Sequence, residues 1–175
     1  MKWMAAFFCC LAGVIFFGCD QSPRPAVAAA SNSVATPGYP TQAQPKLQVM
    51  KLYLGARQLE TELAVTEKEW QTGMMFRTNI DETAAMLFVF PQPMQAAFWM
   101  KNTLVPLSAA YIDPEGTILE IHDLQPLNTN AVVASSFHIQ YVLETKQGWF
   151  ARNNVNTGMV VQTERGPLQS TFFRQ

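Results

Sequence analysis

Leu107-Ser108-Ala109-Ala110-Tyr111-Ile112, Asp113-Pro114-Glu115-Gly116 and Thr117-Ile118-Leu119-Glu120-Ile121-His122-Asp123 form the stretch on which the fold is decided. Two apolar-rich runs flank four turn-forming residues. Pro in second place and Gly in fourth favour a type I turn with Gly in the left-handed position. The stretch therefore predicts two short strands joined by a tight turn.

The same pattern extends in both directions. Leu47 to Leu54 and Gln58 to Val65 alternate around Gly55-Ala56, which predicts a hairpin. Thr66-Glu67-Lys68-Glu69 is a capping-box sequence, so a short helix should follow and stop near Gly73. Met86 to Phe90, Ala96 to Met100, Phe137 to Glu144 and Met159 to Thr163 are further strand candidates, and Lys146 to Asn153 is a second short helix. The class is mainly β, a β-rich α+β domain. It is expected to be an antiparallel sandwich or partly closed barrel of seven or eight short strands with two short helices.

The chain has 175 residues, with 12 basic and 13 acidic side chains. That balance argues against a nucleic-acid partner, which would call for a basic excess. At 49% hydrophobic and 14% charged the chain is not disordered as a whole. Residues 1–18 read as a secretory signal, because Lys2 precedes the uncharged run Trp3 to Gly18. The run is shorter than the ~20 residues of a comfortable membrane span. Gly18-Cys19 at its end is similar to a bacterial lipoprotein cleavage box, although Phe16 and Phe17 depart from the usual residues. Cys19 is thus expected to carry lipid and hold the protein in the membrane. Ordinary cleavage near Ala28-Ala29-Ala30 is the alternative. Cys9 and Cys10 would leave with the signal, so the mature domain has no thiol, which suits an oxidising compartment. The expected location is the periplasmic side of the bacterial envelope. Asp20 is similar to an inner-membrane retention signal, but that rule differs between bacterial groups, and the choice of membrane stays open. Residues 19–45 carry five Pro and read as a tether. Residues 46–175 form the expected single domain.

Strongly polar residues stand among heavy apolar ones in three places: Gly73-Met74-Met75-Phe76-Arg77, Phe98-Trp99-Met100-Lys101-Asn102-Thr103 and Ile121-His122-Asp123. An Arg fork and a Lys point charge together suit a carboxylate or phosphate. Arg77, Trp99, Lys101 and Asn102 are therefore the candidate ligand-binding set. The competing reading is an internal ion pair for Arg77, with Glu144 as a possible partner, and a snorkelling Lys101. His122 and His138 are too few for a three-ligand zinc site unless carboxylates complete it. Seven Met residues fall in the domain, mostly within aromatic and aliphatic runs, where core filling is their commoner use than copper binding. No cofactor motif, nucleophile elbow or metalloprotease motif is present.

The motif residues 73–77, Met86-Leu87-Phe88-Val89-Phe90, residues 98–103 and Pro106-Leu107, followed by Tyr111-Ile112-Asp113, Gly116, Val142-Leu143-Glu144 and Gly148, resemble the bacterial and archaeal family known as domain of unknown function 192. The resemblance spans about residues 48–162. It implies a mainly β, sandwich-like fold, often on exported proteins, and no established activity. Three positions depart from the family pattern. Ser108 and Met159 stand where acids are common, and Ala85 stands where Gly is. Three functions then stand in order. The first is a binding module for a small anionic or glycan ligand, and the second a structural envelope protein. The third is an enzyme using Lys101 with His122 or Glu144 as acid–base partner.

Overall fold

The computed structural model describes residues 38–173. The expected signal, Cys19 and all of the tether before residue 38 lie outside them. β1 (Val49–Leu54) and β2 (Arg57–Ala64) form the predicted hairpin, with Leu54 opposite Arg57 and Gly55 at a φ of 60° in the turn. α1 (Glu67–Thr72) begins on the predicted capping box. The Thr66 amide donates to Glu69 Oε2 at 2.8 Å, and the Glu69 amide donates to Thr66 Oγ1 at 3.4 Å. Gly73, at a φ of 47°, ends the helix.

β3 (Ala84–Met94) next pairs with β2 in parallel, because α1 and the following loop carry the chain back across one face of the sheet. β4 (Ala97–Phe98), β5 (Leu107–Ile112), β6 (Ile118–Leu124), β7 (Val132–Val133) and β8 (Ile139–Lys146) follow. α2 (Trp149–Arg152), β9 (Val161–Thr163), β10 (Gly166–Pro167) and α3 (Leu168–Phe172) complete the order. The turn between β5 and β6 forms as the Asp-Pro-Glu-Gly sequence requires. The Gly116 amide donates to the Asp113 carbonyl at 3.1 Å, and Gly116 takes a φ of 90°.

The protein is mainly β, as the sequence predicts, with two corrections of detail. The main sheet is mixed rather than antiparallel, because of the β2–β3 pair. Ten strands and three short helices are formed among the described residues, the additions being two-residue strands and α3. Eight strands run in the order β10-β9-β1-β2-β3-β8-β5-β6, while β4 and β7 pair separately. The sheet stays open, yet its ends approach at one corner, where a single bridge joins Thr117 to Val160.

Both faces are buried, and the period-two alternation of β3 shows how. Ala85, Leu87 and Val89 belong to one apolar cluster, with Leu52, Tyr141 and Phe150. Met86, Phe88 and Phe90 belong to the other, with Met74, Tyr111 and Val142. Strands so enclosed carry near-continuous apolar runs, and Met86 to Phe90 is one. α1 and the loops around β4 cover the second face, and the candidate site lies there.

Candidate functional site

On that second face a row of residues crosses five adjacent strands. Glu62 on β2 pairs with Met86 on β3, Met86 with Glu144 on β8, Glu144 with Ala109 on β5, and Ala109 with His122 on β6. Strands lie about 4.8 Å apart, so Glu62 and Glu144 are separated by roughly 10 Å at the backbone.

Glu62 is fully partnered. Arg77 grips it with both ends of its fork, Nη1 to Oε1 at 2.6 Å and Nη2 to Oε2 at 2.8 Å, and the Leu47 amide donates to Oε2 at 2.8 Å. Burial pushes this carboxyl up, but the Arg77 and Leu47 hydrogen bonds and the nearby Arg77 and Lys46 charges outweigh it and hold the group below its ordinary range. The internal partner of Arg77 is thus Glu62 rather than Glu144.

Glu144 is treated in the opposite way. The residue is 4% exposed, and its Oε2 is buried with no hydrogen-bond partner among the described residues. Burial pushes the carboxyl up to about 8, a rise only partly offset by the Arg77 charge. Glu144 lines a cavity of about 240 Å³ whose wall includes Trp70, Met74, Phe88, Phe98 and Trp99. The remaining polar side chains on the wall are Gln71, Thr72 and Thr103, and none is cationic.

The cavity has a local cause in β3. Between Val89, opposite Tyr141, and Met94, opposite Ile139, the strand bulges away from β8. Pro91 and Pro93 lie in this segment and offer no amide to the ladder. The displaced chain carries Phe90, Met94 and Ala96 to one side of the opening. On another side the Phe76 amide donates to the Asn102 carbonyl at 2.8 Å, tying the loop after α1 to the loop after β4. Both residues have positive φ, 61° for Phe76 and 58° for Asn102. Asn accepts that conformation readily, whereas for a bulky side chain it is strained.

The four candidate ligand residues do not converge. Trp99, 39% exposed, is the one that lines the cavity. Arg77 is held by Glu62. Asn102 positions the loop, its Nδ2 lying 4.0 Å from Met75 Sδ. Lys101 makes no ion pair among the described residues: its Nζ lies 3.5 Å from the centre of the Tyr39 ring and 5.2 Å from that of Trp99. Tyr39 and Gln44 come from the end of the segment read as a tether. Gln44 Nε2 donates to the Gly73 carbonyl at 2.9 Å.

His122 is apart from both the cavity and Lys101. Its Nε2 is 2.9 Å from Glu120 Oε2, and its ring meets Tyr111 edge-on. Glu120 also accepts from the Ser135 and Ser136 amides, so this pair pins the loop before β8. Among the described residues no group of three or more His, Cys, Asp or Glu could hold a metal. The departures from the family pattern lie off the cavity. Ala85 belongs to the opposite cluster, and Met159 packs against it. Ser108 donates to Asp123 Oδ1 and accepts from the Gly148 amide.

Sequence reasoning met Glu144 only as a possible partner for Lys101 or Arg77. The available signal was a lone acid ending the apolar run Ile139 to Glu144 on the same strand face as Val142.

Residues 50–163 match the model of domain of unknown function 192, described as an uncharacterised ACR family. The chain belongs to this family. Among solved structures it is similar to a Sinorhizobium meliloti 1021 protein described as a candidate transcription regulator. The identity is 29% and the TM-score 0.65, over 69% of this chain and 98% of the other. It is also similar to a protein of unknown function from Novosphingobium aromaticivorans DSM 12444, at 28% identity and a TM-score of 0.64. That match covers 69% of this chain and 90% of the other. No curated protein matches the chain.

Proposed function

We propose that the protein is an exported envelope lipoprotein, anchored through Cys19, whose family domain binds one small ligand in the cavity above Glu144. The observation that carries the binding reading is a buried carboxyl without a partner at the wall of an aromatic opening. A buried polar group left unbonded costs free energy, and a ligand group reaching Oε2 would recover it. Concave, mostly apolar sites with a few placed polar groups are the usual form of small-molecule sites.

The anionic ligand expected from Arg77 and Lys101 loses its support. Arg77 is engaged by Glu62 and Lys101 rests on two rings, so the described wall offers an anion no free cation. The ligand is therefore neutral or cationic at the end that meets Glu144. The enzyme reading loses its constellation as well, since Lys101, His122 and Glu144 occupy three separate environments. The regulator description of the Sinorhizobium protein is not carried over, because a net charge of -1 offers DNA no basic excess.

Native mass spectrometry of the full chain, purified from its own envelope, tests the binding reading. A small bound mass present in the wild type and lost from Phe98→Ala is expected. An apoprotein spectrum for both would remove the reading. For the anchor, Cys19→Ser should move the protein from the membrane to the soluble periplasmic fraction, and unchanged fractionation would refute it.

A further inference from the structure

Resting on the reading of the cavity as a ligand site, we propose that its occupant is an organic ammonium ion, held by Glu144 and by the rings of Trp70, Phe88, Phe90 and Phe98.

Three features of the wall point to this chemistry. The first is the density of rings. Phe98 meets Phe88 at 4.8 Å and Phe90 at 6.4 Å between centroids, and Phe90 meets Trp70 at 5.2 Å, so one connected cluster surrounds the opening. Aromatic rings attract cations through their quadrupole, and grouped rings are the usual cage for alkylated ammonium groups. The second is the acid. Glu144 is the one carboxyl side chain among the described wall residues, and its Oε2 has no partner among the described residues. The third is that neither Arg77 nor Lys101 pairs with this acid among the described residues, Arg77 being held by Glu62 and Lys101 lying over Tyr39.

A sugar is a poorer fit. Its many hydroxyls would meet Glu144, Gln71, Thr72 and Thr103 and otherwise only rings, methionines, small apolar groups and backbone. Hydroxyls left unbonded there would cost free energy. At about 240 Å³ the cavity is smaller than a drug-sized site and suits a small head group.

Cation binding at this acid is linked to a proton. The charged and titratable groups facing Glu144 are Arg77, from the loop after α1, and Tyr111 on β5. Arg77 favours the ionised acid but is itself balanced by Glu62, and Tyr111 stays neutral, its own ionisation pushed up by burial. Met86 and Ala109, the cross-strand neighbours, carry no charge. Below about pH 8 the empty site therefore holds a neutral carboxylic acid. An arriving ammonium ion favours the carboxylate, and the displaced proton passes to the buffer.

Titration calorimetry on the full chain, in a polyoxyethylene detergent, tests this with ethylammonium, trimethylammonium and choline chlorides. N-acetylglucosamine is the neutral control. Saturable binding of at least one cation is expected, with proton release at pH 7 seen as a dependence of heat on buffer ionisation enthalpy. Affinity should rise from pH 6 to 8, by at most about tenfold per unit, and level off above. Glu144→Gln, checked as folded by circular dichroism, should weaken binding at least tenfold and abolish the proton release. Phe98→Leu should weaken it several-fold and keep the release. Competition by phosphatidylethanolamine vesicles but not by phosphatidylglycerol vesicles assigns the ion to a lipid head group, and absence of competition assigns it to a free amine. Binding of the sugar without any cation overturns the ammonium assignment and leaves the binding site standing. Cation binding indifferent to Glu144→Gln also overturns it. Binding of neither class, together with the apoprotein result above, removes both readings.

Discussion

Glu62 and Glu144 stand on one face of one sheet, each cross-strand from Met86, and the fold treats them oppositely. Glu62 has an Arg fork and a backbone amide. Glu144 is the more deeply buried of the two and has an Oε2 with no partner among the described residues. The Arg77 cation is positioned to serve one and reaches the other only through its field. A fold that needed both acids only for stability would have paired both or replaced one by an apolar residue. The difference separates an acid that locks a loop onto the sheet from an acid kept available, and it sets up opposite responses to mutation and to pH.

The largest effect is expected at the locked acid. Arg77→Ala leaves the Glu62 carboxylate partly buried with only an amide for company. Removing one partner of a buried pair costs about 3–5 kcal/mol, and the residual exposure here places the loss near the lower end. Urea denaturation reads it directly. A loss under about 1 kcal/mol would make the pair a solvated surface contact and erase the contrast with Glu144.

The second effect is a difference in sign. Glu144 in the folded protein is pushed up to about 8 from an ordinary value near 4.5. Between those values the folded state holds a proton that the unfolded chain has released. Stability from this group is therefore present at pH 4.5 and lost as pH rises towards 8, with a limiting slope of about 1.4 kcal/mol per pH unit. Glu62, held low, contributes in the other direction: its stabilisation is present above about 4.5 and lost as pH falls below that. Glu144→Gln should flatten the alkaline limb, leave the acid limb unchanged, and be no less stable than wild type at pH 8. An alkaline limb that survives Glu144→Gln would show that another group sets it.

Local signals made much of this fold legible. The Gly55-Ala56 hairpin, the Thr66–Glu69 cap and the Asp113–Gly116 turn each depend on residues a few positions apart, and each formed as read. The parallel β2–β3 pair was hidden, because its crossover carries only the six-residue α1 and pairing across it is a tertiary choice. The run Phe137 to Glu144 was read as a strand, on which alternation puts Glu144 on the face of Val142. What alternation lacks is the neighbour list: β8 is central between β3 and β5, and a bulge in β3 opens space beside it. Arg77 was recognised as a cation among apolar residues. Its partner was not, since Glu62 lies fifteen residues back on a different element.

The smallest effect belongs to Lys101, and it tests whether the cation nearest the rim has any part in the contrast. Its Nζ lies over the Tyr39 ring, and Tyr39 is 63% exposed. An exposed cation–π contact contributes about 0.5–1 kcal/mol. Lys101→Ala should therefore unfold within about 1 kcal/mol of wild type. That modest cost could reflect the ring contact or merely the loss of a long side chain lying on Trp99. A double-mutant cycle with Tyr39→Ala separates the two. If the ring contact is the cause, the coupling energy should be about 0.5 kcal/mol or slightly more, and the double mutant should be little worse than either single one. The coupling should also persist in high salt better than an ion pair would, because no distant acid is involved. A loss of several kcal/mol for Lys101→Ala alone would instead mean a buried anionic partner. It would then be Lys101, rather than Glu144, whose charge the ligand site has to answer.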